Sequence, residues 1–367
     1  MNSTEPAPEM FPSKPDSIVQ TLGEPGRIAD SRGRFLIASC RSGADMAARV
    51  VEKLKQLQAE SRLEENLIYL EGVDGQFSDS ETFARLSKDV SGGDVYLFQA
   101  LLDPLSRRSV DQNYMAFLIA VRALREWGAN HVTGILPYLA YTRQDKPTPY
   151  EREPATANLM ADLSISAGID RLVTWHPHSP QIQGFYDSVP VVKLEALSLF
   201  IESFERFRDR EDVIVVAPDA GASKFVTKIG RELNLNAAIA SKYRPHPEEA
   251  TIQEVIGDFS GKKIAIVLDD MISSGGTVQA LIKELAAKKG IEEIYLGASH
   301  NLCLQSAHKR LVDLIENDGL KEIILTNTIP QTEPFLSMPG LSVRDISGVL
   351  SQVIWQIHHN QPVSEVL

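Results

Sequence analysis

The sequence predicts an α/β fold of two tandem domains, each a mostly parallel sheet flanked by helices. Short apolar runs alternate with amphipathic segments, and the alternation breaks off near residues 190–200 and then restarts. The runs are apolar throughout rather than on every second residue, as expected of strands buried on both faces. At 367 residues the chain is long enough for two domains of ordinary size.

The elements follow in order. RFLIAS (34–39) is a strand. ADMAARVVEKLKQLQ (44–58) is a helix with Met46, Val50, Leu54 and Leu57 on one side. DVYLFQA (94–100) is a strand, and NYMAFLIAVRALREW (113–127) a helix closed by Gly128. HVTGILPY (131–138) and RLVTWH (171–176) are strands around the helix 155–168. In the second run, strands at 212–219, 262–270, 291–299 and 321–329 alternate with helices at 223–233, 277–290 and 306–318. A last helix around 346–358 carries Val349, Val353 and Ile357 at helical spacing. The predicted units are an N-terminal arm (1–32), a first domain (33–193) and a second domain (194–342), with a C-terminal helical segment (343–367) after them.

Composition bounds the function. The net charge of −12 argues weakly against a nucleic-acid surface, so no nucleic-acid partner is expected. Two cysteines, Cys40 and Cys303, give no disulfide framework and no cysteine-based zinc site. No run of about 18 apolar residues is present, so no membrane span is expected. The first residues, MNSTEPAPEMFPSKPDS, have no basic start and apolar core of a secretory signal. Four prolines in the first fifteen residues read as a disordered or loosely packed arm. A cytoplasmic location is the expectation.

In folds of this class ligands sit beyond the carboxyl ends of the strands, so the loops after strands carry the interest. The stretch VLDDMISSGGTVQALIKEL (267–285) ends an apolar strand in two adjacent carboxylates, passes two serines, two glycines and a threonine, and turns helical. Small residues opening a helix expose backbone N–H groups at a positive dipole end, which makes a phosphate cradle. Asp269 and Asp270 cannot bind phosphate directly. They can accept hydrogen bonds from sugar hydroxyls or hold a divalent cation that bridges to phosphate. A phosphorylated sugar satisfies both parts, with its phosphate on Ser273, Ser274, Gly275, Gly276 and Thr277. No Gly-Lys-Ser/Thr follows, so this is not a Walker loop.

The stretch resembles the phosphoribosyl-diphosphate loop of the phosphoribosyltransferase fold. Further segments, in the same order, resemble ribose-phosphate diphosphokinase (PRPP synthetase): QFSDSE (76–81), ILPYLAYTRQDK (135–146), HSPQIQGFYD (178–187), APDAGASK (217–224), SKYR (241–244), ASHN (298–301) and TNTIP (326–330). The resemblance covers roughly residues 33–360. It implies two phosphoribosyltransferase-like, Rossmann-like domains facing each other, with the C-terminal helix packed back on the first. It implies transfer of the β,γ-diphosphoryl group of ATP to ribose 5-phosphate, giving PRPP and AMP. Phe77, Asp79, Glu81, Arg143, Gln144 and Asp145 are then expected at ATP, and Lys242 and Arg244, in a polar mobile loop, as the catalytic cations. His178, Asp219 and Asp187 are expected to hold Mg²⁺. The resemblance also implies a homo-oligomer built from dimers, commonly a hexamer.

The pattern is not kept throughout. His176 stands where the family usually has Asp, and Val192, or a gap, where it has another Asp. One residue is inserted before Pro190, and the sugar-phosphate loop begins Ser273-Ser274 in place of Asp-Thr. These departures keep open a weak or inactive, synthetase-associated homologue, a diphosphokinase with another acceptor or donor, and a plain phosphoribosyltransferase.

Overall fold

The computed structural model describes residues 32–363 except 64, 149, 247 and 248, and the backbone but not the side chains of 242–253. The N-terminal arm therefore lies outside the described residues, apart from Arg32.

The first sheet is built from Arg34–Ser39 (β1), Ile68–Leu70 (β2), Gly93–Phe98 (β5), His131–Leu136 (β6), Arg171–Trp175 (β7) and Val191–Leu194 (β8). Its order is β2-β1-β5-β6-β7-β8, parallel throughout. A small antiparallel hairpin, Asp74–Gln76 (β3) and Thr82–Ala84 (β4), stands off it. The second sheet contains Val213–Ala217 (β9), Asn236–His246 (β10), Glu249–Ile256 (β11), Ile264–Ile272 (β12), Glu293–Asn301 (β13), Leu320–Thr326 (β14) and Leu341–Arg344 (β15). Its order is β11-β10-β9-β12-β13-β14-β15, with β11 alone antiparallel.

The helices are Ala44–Ser61 (α1), Val110–Glu126 (α2), Thr156–Ala167 (α3), Ile182–Phe185 (α4), Leu197–Phe204 (α5), Ser223–Glu232 (α6), Gly276–Lys289 (α7), Gln305–Asn317 (α8), Glu333–Leu336 (α9) and Ser347–His358 (α10). Local chemistry sets several ends. Ser109 and Gln112 form a reciprocal capping box at the start of α2. Gly168 (φ 114°) ends α3 in the left-handed conformation that costs glycine little.

Strand alternation divides the core into three layers. Leu36 and Ala38 of β1 face α2 and α3, while Phe35 and Ile37 face the opposite side. On that opposite side α1, α5, α6 and α10 fill one continuous apolar layer shared by both sheets, with Trp175 and Phe200 beside Val215, Ile266 and Trp355. The outer face of the second sheet packs on α7 and α8. The C-terminal helix α10 lies against α1, and the ring of its His358 stacks on Phe35 at 4.0 Å.

Two readings change. The stretch SKYRPHPEEATIQE is not a loop: it forms the hairpin β10–β11, with Lys242 opposite Ile252 and Tyr243 opposite Thr251. Among its fourteen residues only Tyr243, Ala250 and Ile252 are apolar, so no apolar run announces a strand there. The strand holding the acidic pair runs to Ile272 instead of ending at 270, so Asp269 and Asp270 sit inside it.

Candidate functional site

The second sheet changes direction at β9: the chain passes to β10 on one side and later to β12 on the other. A crevice opens where strand order reverses, beyond the carboxyl ends of the strands. Asp219 follows β9 there, and Asp269 and Asp270 come from the end of β12. Asp219 accepts hydrogen bonds from the backbone N–H of Gly221 (2.9 Å) and Ala222 (3.2 Å), which orients its carboxylate at the start of α6. Asp269 accepts from the N–H of Asp270 at 2.9 Å.

The loop after β12 is shaped by Gly275. Its φ of 79° is left-handed, and a Cβ there would sit 3.2 Å from the Ala307 Cα. The turn starts α7 at Gly276, one residue before the sequence expectation. Arg310 braces it from α8 by donating to the Ser274 carbonyl at 2.6 Å. Ser273, Ser274, Gly275, Gly276 and Thr277 thus form a compact turn whose helical N–H groups lack intrahelical acceptors, as the first turn of any helix does.

The first sheet presents its own strand ends across the cleft. His178 follows β7 and donates through Nδ1 to the Asp270 carboxylate at 2.6 Å. Arg143, after β6, donates to the Ser273 hydroxyl at 3.4 Å. Asp145 accepts from the Ser179 hydroxyl at 2.7 Å, and Gln144 from the Thr156 hydroxyl at 2.6 Å. The RQD loop and the HSP loop are therefore tied together, the first reaching the turn after β12 and the second reaching Asp270 within β12.

A second set of bridges joins residues that the sequence named only as a departure, His176, or inside the ASHN and TNTIP segments. His176 Nδ1 shares a 2.6 Å hydrogen bond with the Ser299 hydroxyl of β13. His300 donates through Nε2 to the His176 carbonyl at 3.1 Å, while its Nδ1 bonds Thr328 at 2.8 Å. The Tyr138 ring meets His300 edge-on at 5.1 Å. His176, with φ 38°, is held in a strained backbone turn by these contacts. The position where an acidic residue was expected is thus an interdomain strut. The signal was present in the paired motifs WHPH and ASHN, but it becomes readable only when both strands end at one cleft.

Charge is strongly organised. Burial, then the charges of Asp270 and Asp219, push the Asp269 carboxyl well above the usual carboxylate range. Burial would also raise Asp270, but the hydrogen bond and charge of His178 hold it well below that range. The same hydrogen bond raises His178 above its ordinary value. Burial pulls His176 and His300 each down to about 4.

Other expected residues lie elsewhere. Phe77, Asp79 and Glu81 occupy the tip of the β3–β4 hairpin, where the Phe77 N–H donates to the Glu81 carbonyl at 2.9 Å and Phe77 is 56% exposed. Asp187 is exposed, with φ 45°. Among the described residues, His178, Asp219 and Asp187 do not gather into one compact donor set. Lys242 and Arg244 lie on β10, beside β9, and their side chains fall outside what is described. A cavity of about 540 Å³ opens beyond β1 and β5, lined by Arg41, Ser42, Gln99 and Asn327. It does not include the His178–Asp270 pair.

Two mostly parallel sheets facing each other, with an acidic strand end and a glycine turn at a switch point, define a two-domain phosphoribosyltransferase-type protein. The family model for the N-terminal domain of ribose phosphate pyrophosphokinase matches residues 35–168, and that for the phosphoribosyl synthetase-associated domain matches 209–367. A ribose-phosphate pyrophosphokinase of Clostridium acetobutylicum is 36% identical over 293 residues, spanning 80% of this chain and 88% of that protein. One from Mycoplasma pneumoniae is 34% identical over 339 residues, or 91% and 96% of the two chains. The crystal structure of phosphoribosylpyrophosphate synthetase from Mycobacterium smegmatis superimposes with a TM-score of 0.76 at 31% identity, covering 89% of this chain and 99% of that one. The chain belongs to the ribose-phosphate pyrophosphokinase family.

Proposed function

We propose that this chain transfers the β,γ-diphosphoryl group of ATP to the C1 hydroxyl of D-ribose 5-phosphate, forming PRPP and AMP for nucleotide biosynthesis. The observation that carries this reading is the meeting, across one cleft, of Arg143 and His178 with Ser273 and Asp270. A cationic, nucleotide-facing loop and a sugar-phosphate turn must approach each other for the two substrates to react in line.

Asp269 and Asp270 take the ribose hydroxyls, and Ser273, Ser274, Gly275, Gly276 and Thr277 take the 5-phosphate on their amides. Arg143, Gln144 and Asp145 bind ATP, with Phe77, Asp79 and Glu81 at its base and sugar, contributed in a dimer-based homo-oligomer by the neighbouring subunit. As the C1 oxygen bonds the β-phosphorus, the bond from that phosphorus to the α-phosphate oxygen breaks and AMP leaves, the hydroxyl proton passing to solvent. Lys242 and Arg244 stabilise the charge that builds on the transferred group and on the leaving oxygen. Their place on a hairpin at the edge of the sheet suits a segment that closes over bound substrate.

Asp269, pushed up by burial and then by the charges of Asp270 and Asp219, sits in an acidic cluster that a divalent cation would neutralise. Mg²⁺ would be held by Asp219 and His178, with Asp187 as a further candidate. When bound it supplies neutralisation of the phosphate charges. His178 then positions Asp270, and the His176–Ser299 and His300 bridges keep the two halves in register. We place the enzyme in the cytoplasm, with no membrane or nucleic-acid partner.

One observation favours a second reading, a weakly active or inactive associated homologue: His176 is committed as a strut where a carboxylate is usual for the family. Incubation with ATP, ribose 5-phosphate and Mg²⁺, followed by quantification of AMP and PRPP, separates the two. Equal yields of AMP and PRPP are expected, with a loss on the order of 10³-fold in a Lys242→Ala/Arg244→Ala double variant. Binding of both substrates without turnover would select the second reading.

A further inference from the structure

A second imidazole–carboxylate cluster lies at the opposite, amino end of the first sheet, and the reaction above does not use it. The end of α10 brings His358 and His359 against Glu65, and the donor atoms of the three all lie within 4.8 Å of one another. His358 Nε2 is 2.8 Å from Glu65 Oε1, and His359 Nε2 is 3.4 Å from Glu65 Oε2.

The outer side of each ring is already fixed. His358 donates through Nδ1 to the fully buried Asp94 carboxylate at 2.8 Å, and His359 Nδ1 donates to the Trp355 carbonyl at 2.9 Å. Asp94 is itself held by the Tyr96 hydroxyl at 2.7 Å and by Arg32 at 3.5 Å. Phe35 stacks on the His358 ring, and Trp355 packs on His359 at 4.1 Å. Histidines that bind metal characteristically give their second N–H to a carboxylate or a backbone carbonyl, which fixes tautomer and orientation. Here both do so, and both Nε2 atoms converge on one carboxylate. Glu65 Oε2 is buried, and its nearest polar neighbour, His359 Nε2 at 3.4 Å, is not aligned as a hydrogen bond.

We propose that Glu65, His358 and His359 bind a divalent transition-metal ion of the zinc type, which fastens the end of α10 to the amino edge of the first sheet. Two imidazole nitrogens and one carboxylate oxygen are a donor set for Zn²⁺ and its neighbours, whereas Mg²⁺ requires mostly oxygen. Ligand distances of about 2.0–2.2 Å put donor atoms of a tetrahedral ion roughly 3–3.5 Å apart, so small side-chain shifts suffice. The partial exposure of Glu65 leaves room for water as the fourth ligand. On binding, the ion takes the lone pair of His358 Nε2, and the proton that nitrogen shares with Glu65 passes to solvent.

The test uses the full chain, stripped with a chelator and returned to buffer with excess Mg²⁺. Zn²⁺ is added, unbound ion is removed by gel filtration, and retained zinc is counted by elemental analysis. About one zinc per chain is expected, with a rise in the thermal midpoint, and Co²⁺ should give a visible absorption band. Glu65→Gln and His359→Ala should each lose the zinc, the midpoint rise and the band, while His178→Ala, at the other imidazole–carboxylate pair, keeps them. If His359→Ala does not fold, the isosteric Glu65→Gln decides. No retained zinc in the unsubstituted chain, or zinc that persists in Glu65→Gln, overturns the proposal.

Discussion

At the scale of single residues, the informative pair is His178 and Asp270. Each holds the other in its charged form: the imidazole is raised, and the carboxylate is lowered against the opposing effect of burial. Asp270→Asn removes the partner, so the His178 titration followed by NMR should fall back toward its ordinary value near 6.5. If Asp270 also takes a ribose hydroxyl, as proposed, the same variant should raise KM for ribose 5-phosphate by about tenfold or more, since a hydrogen bond to a charged group is worth about 1.5–3 kcal/mol. An unchanged His178 titration would mean the pair is not formed in solution. Asp269 illustrates the converse case. It lies one residue earlier on the same strand, yet burial and its acidic neighbours push its carboxyl up. A sequence shows two identical letters; only the side chains brought in by other strands make them chemically different.

At the scale of elements, the turn after β12 is where backbone conformation and binding coincide. Gly275→Ala would force a side chain into a left-handed residue and against Ala307. A cost of about 1–2 kcal/mol is expected from the conformation alone, read as a lower denaturation midpoint. The sugar-phosphate KM should rise with it, because the amides after Gly275 would shift. Most of the framework was legible in the sequence because a buried parallel strand is a continuous apolar run. The strand 34–39 agrees residue for residue, and the helix starting at Ala44 differs only in its end. The elements missed had weak or mixed patterns, among them β2 and β15, three and four residues long, the β3–β4 hairpin, the edge strand β8, and the helices α4, α5 and α9. The hairpin β10–β11 was hidden by its polar composition, since edge strands face water and carry charge. For the site, the turn and its acidic pair were legible as local chemistry. The struts made by His176, Ser299 and His300 were not, because each bond joins residues more than a hundred positions apart.

At the scale of the whole molecule, the buried histidines set how stability responds to pH. His300 is buried and lowered to about 4, and His176, half-buried as a residue, is lowered to a similar value, in both mainly by burial. Both stay neutral in the folded state at pH values where the unfolded chain, with His near 6.5, takes up protons. The stability they contribute is therefore present above about 6.5 and is lost as pH falls toward 4, with a limiting slope of about 1.4 kcal/mol per pH unit for each proton. His178 and His358 act in the other sense. Their raised values give stability that is full below about 6.5 and is lost as pH rises through the folded values. Burial would raise Glu65, but His358 and His359 pull it down to about 2, so its share is lost only between about 4.5 and 2. Denaturant midpoints measured across pH should peak near pH 6.5, falling on both sides. His300→Gln should flatten the acidic limb, and an acidic limb unchanged in that variant would mean that other groups control it.

The docking of α10 has a consequence for how the protein is made. Its last residue, His358, bonds Asp94 from 264 positions away, and its apolar face completes the layer that covers Phe35 and Ile37. The first half of the chain emerges from the ribosome without α10 over that face, and the helix is synthesised only after the whole of the second sheet. Until α10 has been made, the growing chain must keep that apolar surface from meeting other nascent chains, and a message truncated after the second sheet would leave the earlier domain, not the later one, incomplete.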